Sequence, residues 1–175
     1  MRPTDSTLHL VPASGARAVG RGPRDGLGLR ANGSAPMTLE DCEIPSELRL
    51  TEDDAGFKVM LEIALPPFNL GAAAVALGLC RAAVAGTAAH LKNARFEHLG
   101  HSLGESLPTL RALAAMQIDT DGLAARIDDL VDHLERLREA TMLRVLETKA
   151  AAGEAAIAVT SAAMRACGGR HSPGT

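Results

Sequence analysis

Residues 141–169 read TMLRVLETKAAAGEAAIAVTSAAMRACGG. Within them Leu146, Ala150, Gly153, Ile157, Thr160, Met164 and Cys167 follow one another at steps of four and three. On a helix of about 3.6 residues per turn those steps fall on one stripe, so the stretch predicts a long helix. The stripe is built mostly of small residues. Such a seam lets a neighbouring helix approach closely at a small crossing angle. Gly168 and Gly169 then stop the helix, because glycine accepts the left-handed backbone on which many helices end.

The same period extends upstream. Leu110, Leu113, Gln117, Leu123, Ile127, Leu130, Leu134 and Leu137 trace a second helix, with Pro108 suited to its first turn and Gly122 interrupting it. A third long helix is expected from about Asn69 to Leu99, with Gly100 as its stop. Ahead of it, Thr51-Glu52-Asp53-Asp54 has the form of a helix start, and a short helix to Leu65 is expected to break or kink at Pro66-Pro67. Short connections between long helices imply antiparallel neighbours. The fold class is therefore mainly α, an up-down bundle of three long helices, with a small β segment at the N-terminus.

That N-terminal part, residues 1–50, differs from residues 51–175 and is taken as a separate domain. It holds most of the prolines and many glycines. Thr7–Val11 and Met37–Glu40 are short β-type runs, each ended by a proline soon after, with glycine turns between them.

Composition narrows the function. A formal charge of −3 argues against a nucleic-acid binder, which needs a basic face. Arg17, Arg21, Arg24 and Arg30 have no aromatics among them and read as a solvated loop. No apolar segment follows Met1 as in a signal peptide. The longest apolar run, Leu70–Cys80, is far short of the roughly 20 residues of a membrane span, so none is expected. Three widely spaced cysteines read as reduced thiols of a cytoplasmic protein.

Several local motifs have plain readings. Gly100-His101-Ser102-Leu103-Gly104 matches the G-x-S-x-G elbow of serine hydrolases, with Asp119 and His133 downstream as partners. The residues before it look helical rather than strand-like, so an inter-helix loop is the expected reading. His90, Glu97, His98 and His101 lack a metal-binding spacing and suit a helix C-terminus. Gly20-Arg21-Gly22 and Gly26-Leu27-Gly28 are turns rather than a dinucleotide fingerprint. Asp128, Asp129, Asp132 and Glu135 alternate with Arg126, Arg136 and Arg138, as on an ion-paired, solvated face.

Three segments together carry a resemblance. They are Gly26–Pro45 (GLGLRANGSAPMTLEDCEIP), the stretch from Gly56 to Gly100 that ends ALGLCRAAVAGTAAHLKNARFEHLG, and Ala163–Gly169 (AMRACGG). In that order they resemble the acyl-CoA dehydrogenase family, over about Ser6–Gly169. The resemblance implies the end of a β-domain in residues 1–50 and most of a C-terminal helical bundle in 51–175. It implies FAD as cofactor, an acyl-CoA substrate oxidised at its Cα–Cβ bond, an electron-transfer flavoprotein as acceptor, and a homo-oligomer. It assigns Gly168 and Gly169 to close backbone approach to FAD, usually bound in an adjacent subunit, and Arg95 to the family's R-x-x-F-G contact. Here that contact reads Arg95-Phe96-Glu97-His98-Leu99-Gly100, with the arginine one residue further from the glycine.

The family's catalytic glutamate is expected downstream of Gly169, beyond Thr175, which leaves no catalytic residue to name. The alternative position, early in the first long helix, reads Pro66-Pro67-Phe68-Asn69 and holds no glutamate. The expectation is a fragment that neither retains FAD nor oxidises acyl-CoA unaided. The alternatives are a non-catalytic helical interaction module, using the small-residue seam, and a serine hydrolase built on Ser102.

Overall fold

The computed structural model describes residues 5–11, 18–19, 38–39, 42–96 and 101–168. The chain divides into two compact units, Met1–Glu62 and Ile63–Thr175.

In the first unit, the residues around His9 run antiparallel to those around Arg49. Leu10 N–H donates to Leu48 O and Leu50 N–H to Leu8 O, each at 2.8 Å. The strands β1 (Ala18–Val19) and β2 (Thr38–Leu39) pair antiparallel, Ala18 opposite Leu39. The acidic turn does not cap a helix as its sequence suggests. Thr51 Oγ1 accepts from Leu8 N–H at 3.0 Å, and Asp54 takes a left-handed φ of 61°. The first helix, α1, therefore begins only at Gly56 and runs Gly56–Val59. Gly56 N–H donates to Ser6 O at 2.7 Å. A Cβ there would stand 2.7 Å from that same oxygen, so the position requires glycine.

Pro66 and Pro67 do not break the helical path. Met60–Ala64 form a π-helical turn, and α2 (Leu65–Asn93) starts with both prolines in its first turn. Each proline withholds the amide that the carbonyl four residues earlier would accept, and its ring crowds that carbonyl. The wider π turn sits over those carbonyls, of Glu62 and Ile63, and makes room for the rings. Gly56–Asn93 is also long and apolar enough to cross a membrane by length and composition, with a mean hydropathy of 1.7 in its richest window. Reading only uninterrupted apolar runs misses this, because Arg81 ends the run Leu70–Cys80 although small and apolar residues resume beyond it. Here its stripe of Ala73, Leu77, Cys80, Thr87 and Leu91 is buried in the bundle.

The second unit is the expected three-helix bundle: α2, α3 (Leu107–Glu135) and α4 (Thr141–Ala166), each packed on the other two. Pro108 lies in the first turn of α3, and Gly122 leaves that helix unbroken. The core joins Ala73, Leu77 and Cys80 to Met116, Leu123 and Ile127 and to Ala152 and Val159. Its middle is made of small and aliphatic side chains, as a chain without Trp or Tyr requires. The α2–α3 connection holds a hairpin absent from the sequence expectation, β3 (Arg95–Phe96) against β4 (His101–Ser102).

On α4 the core takes Thr141, Val145, Thr148, Ala152 and Val159. The seam read from sequence lies beside this face. Its Leu146, Ile157 and Met164 are 50–70% exposed, so among the described residues these three side chains are left largely uncovered. The acidic face of α3 is ion-paired as expected, with Asp132 bridged to Arg136 and Arg138 and Asp129 to Arg144.

Candidate functional site

The up-down-up path brings the end of α2, the β3–β4 hairpin, the start of α3 and the end of α4 to one end of the bundle. The residues singled out for cofactor contact gather there. Arg95 stands in β3 with its backbone opposite Ser102, and its side chain lies outside the described part. Gly168 follows the last turn of α4. Cys167 N–H donates to Ala163 O at 3.0 Å and Gly168 N–H reaches Arg165 O at 3.4 Å. Gly168 has φ +61°, and among the described residues nothing lies within 4 Å of where its Cβ would be. The helix therefore ends in a left-handed glycine whose backbone is open to approach. Gly169 lies outside the described residues.

Two concavities flank the last turns of α2. One, of about 270 Å³, lies between α2 and α4 and is lined by Ala82, Ala83, Gly86 and Thr87 with Thr160, Ala163, Met164 and Cys167. No carboxylate lines it. Cys167 Sγ–H points at Thr87 Oγ1 across 4.0 Å, tying the end of α4 to α2. Thr160 spends its hydroxyl on Ala156 O at 2.6 Å, so the surface it presents is apolar. This hollow can take an apolar group, and it brings no acid or base to one. Periodicity pointed to Thr160, Met164 and Cys167, but nothing in the sequence marked Thr87 as their neighbour.

The second, of about 280 Å³, lies under the hairpin and is lined by Ala88, Leu91, Lys92, Ser102, Gly104, Glu105, Leu110 and Leu113. Ser102 is the proposed hydrolase nucleophile, and the structure overturns that reading. It sits in a two-residue strand of a hairpin, with no strand-to-helix elbow around it, and donates to Glu105 Oε1 at 3.2 Å. His133, its expected base, is 26 residues along α3 from Leu107, about 40 Å at the rise of a helix. Asp119 faces Cys80 instead. Burial first, and then the Asp119 carboxylate, push the Cys80 thiol above its ordinary range, which keeps it protonated and inert. Among the described residues no group of His, Cys, Asp or Glu is arranged to hold a metal.

No family model matches the chain. Curated relatives do, over nearly all of it. The mitochondrial short-chain specific acyl-CoA dehydrogenase of Sus scrofa is 31% identical over 166 residues, covering 93% of this chain and 39% of that protein. That of Bos taurus is 32% identical over 181 residues, covering 95% and 41%. Over this stretch the chain belongs to the acyl-CoA dehydrogenase family.

Two solved structures share its fold. Butyryl-CoA dehydrogenase from Megasphaera elsdenii superposes with a TM-score of 0.70 at 24% identity, covering 76% of this chain and 34% of that one. Glutaryl-coenzyme A dehydrogenase in its glutaryl-CoA complex gives 0.81 at 21%, covering 91% and 40%. The chain thus spans about two-fifths of the length of the acyl-CoA dehydrogenases it matches. The β3–β4 hairpin was legible in principle: Arg95-Phe96 and His101-Ser102 flank four residues that include Gly100, a spacing that closes hairpins.

Proposed function

We propose that this chain supplies the helical-domain part of an FAD-dependent acyl-CoA dehydrogenase, and that its contribution is to offer backbone and Arg95 to the cofactor. The observation that carries this is the end of α4. Gly168 is left-handed, exposed and open where a side chain would be. Such an end lets a bulky group approach the backbone where a Cβ would hold it away. Gly168, Gly169 and Arg95 are the residues that would hold FAD. Bound there, FAD would supply the acceptor for the hydride leaving an acyl-CoA, with an electron-transfer flavoprotein as the onward partner. The described residues bring no carboxylate to the apolar hollow beside Gly168. The chain's own part is therefore binding and orientation, and proton abstraction is left to a carboxylate supplied from elsewhere.

The test is titration of the purified chain with FAD, read by flavin fluorescence, beside an assay of acyl-CoA oxidation with a dye acceptor. Weak, reversible quenching by added FAD, with none co-eluting with the chain, is expected, and it is lost in Gly168→Val while helix content is kept. No turnover of butyryl-CoA is expected. Absence of quenching would remove the cofactor role, and turnover by the chain alone would remove the division of labour.

A second reading rests on the uncovered α4 stripe. Leu146, Ile157 and Met164 project from one helix side, and an apolar stripe of that length favours association with another copy. This makes the same chain a helical interaction module, compatible with the first role.

A further inference from the structure

The corner joining α3 to α4 holds a buried imidazole that the proposed cofactor contact does not use. His133 is 7% exposed. Its Nδ1 is a buried polar atom without a partner. Its Nε2 lies 3.5 Å from Arg138 Nη1 and 4.0 Å from Asp129 Oδ1. Arg138 is also the residue that closes the corner. Its amide donates to Thr141 Oγ1 at 2.8 Å, and that hydroxyl donates to the His133 carbonyl at 3.2 Å. The Arg138 carbonyl accepts the Thr141 amide at 3.0 Å, and Arg138 Nη2 binds Asp132 Oδ2 at 2.6 Å.

A guanidinium carries donors only. Its approach to Nε2 therefore needs a lone pair there, which only the neutral imidazole with its proton on Nδ1 provides. Protonation places a hydrogen on Nε2. The ring can then donate to Asp129, while the half-exposed Arg138 guanidinium meets a second cation 3.5 Å away instead of a lone pair. Nδ1–H lacks a partner in both forms and does not decide between them. The other charged groups at this corner are Asp129, Asp132 and Glu135 from α3, Arg136 and Glu139 from the connection, and Arg144 and Glu147 from α4. Arg144 divides itself between Asp129 at 3.6 Å and Glu147 at 2.9 Å. The first turns of α2, Leu65–Ala76, carry no ionisable side chain.

We propose that His133 is a proton-operated latch on this corner. Neutral, it seats Arg138 and keeps the connection 136–140 closed. Protonated, it turns to Asp129 and releases Arg138, loosening the start of α4. Imidazole is the side chain suited to such a change between about pH 5 and 8.

The test is hydrogen exchange at the Thr141 amide of the full chain at pH 7.5 and 5.5, corrected for the intrinsic exchange rate. Protection of Thr141 is expected to fall at least fivefold at the lower pH, while amides in the middle of α4 keep theirs. His133→Gln presents an amide oxygen to Arg138 at either pH and should abolish the fall. Arg138→Met leaves no cation to release and should abolish it too. Unchanged protection in the unaltered chain overturns the proposal. So does a fall of the same size in either variant, which would assign the response to the carboxylates.

Discussion

Two sides of one helix, α4, carry similar residues and meet opposite fates. On one side Val145, Ala152 and Val159 are 0–2% exposed; on the other Leu146, Ile157 and Met164 are 50–70% exposed. Both sides recur at helical spacing, and both are apolar. The difference comes from α2 and α3, which press on the first side and leave the other three side chains largely in water. Apolar periodicity therefore reports that a helix has faces to bury, and it is silent on how many of them its own chain will cover.

Aspartate placed on each side would break this comparison most sharply. Val159→Asp buries an unpaired charge in the core and should cost about 4 kcal/mol or more, enough to unfold the bundle in a urea titration. Ile157→Asp should change monomer stability by less than about 0.5 kcal/mol. It should instead lower self-association, seen as a smaller mass in sedimentation. If Ile157→Asp unfolds the chain, or leaves a compact monomer unchanged in size, the exposed side is not an interface between copies.

Alanine sharpens the same contrast on α3 and the connection that follows it. Leu130 is fully buried and Leu137 is 80% exposed. Leu130→Ala should cost about 2–5 kcal/mol through lost burial and a cavity. Leu137→Ala should stay within about 0.5 kcal/mol. Equal losses would mean that Leu137 is covered in solution.

The smallest effect is expected at Cys80. Its folded thiol holds its proton more tightly than the unfolded one, through burial first and Asp119 second. The stability this brings is complete below the ordinary thiol range and is lost as pH rises through that range towards the raised folded value. Unfolding midpoints should therefore decline at alkaline pH, and Asp119→Asn should make the decline shallower. A decline that Asp119→Asn leaves untouched would show that the carboxylate plays no part.

The helices were legible because α3 and α4 each have a long apolar period, Pro108 stands in the first turn of α3, and a glycine follows α4. Other features were hidden because they depend on backbone pairings and turns that the residue types do not announce. Thr51 looks like a cap until Leu8 takes its hydroxyl. Pro66-Pro67 looks like a break until a π turn relieves it. Gly100–Gly104 looks like a nucleophile elbow until β4 is seen to be half of a small hairpin. At the candidate site, Gly168 was found from its place after the helix, whereas the Thr87–Cys167 approach joins residues eighty positions apart and left no local mark.

By itself the sequence determined that this is a helical bundle, where α3 and α4 lie, and that α4 ends in glycine, because period, proline and glycine act within a few residues. α2 ends at Asn93, short of the expected Leu99, because the hairpin takes over at Arg95. The tertiary structure alone decided which stripe of α4 is core, which apolar residues stay in water, and that His133 and Arg138 meet at the corner. Those outcomes depend on which surfaces the other helices occupy, and no single helix encodes the position of its neighbours.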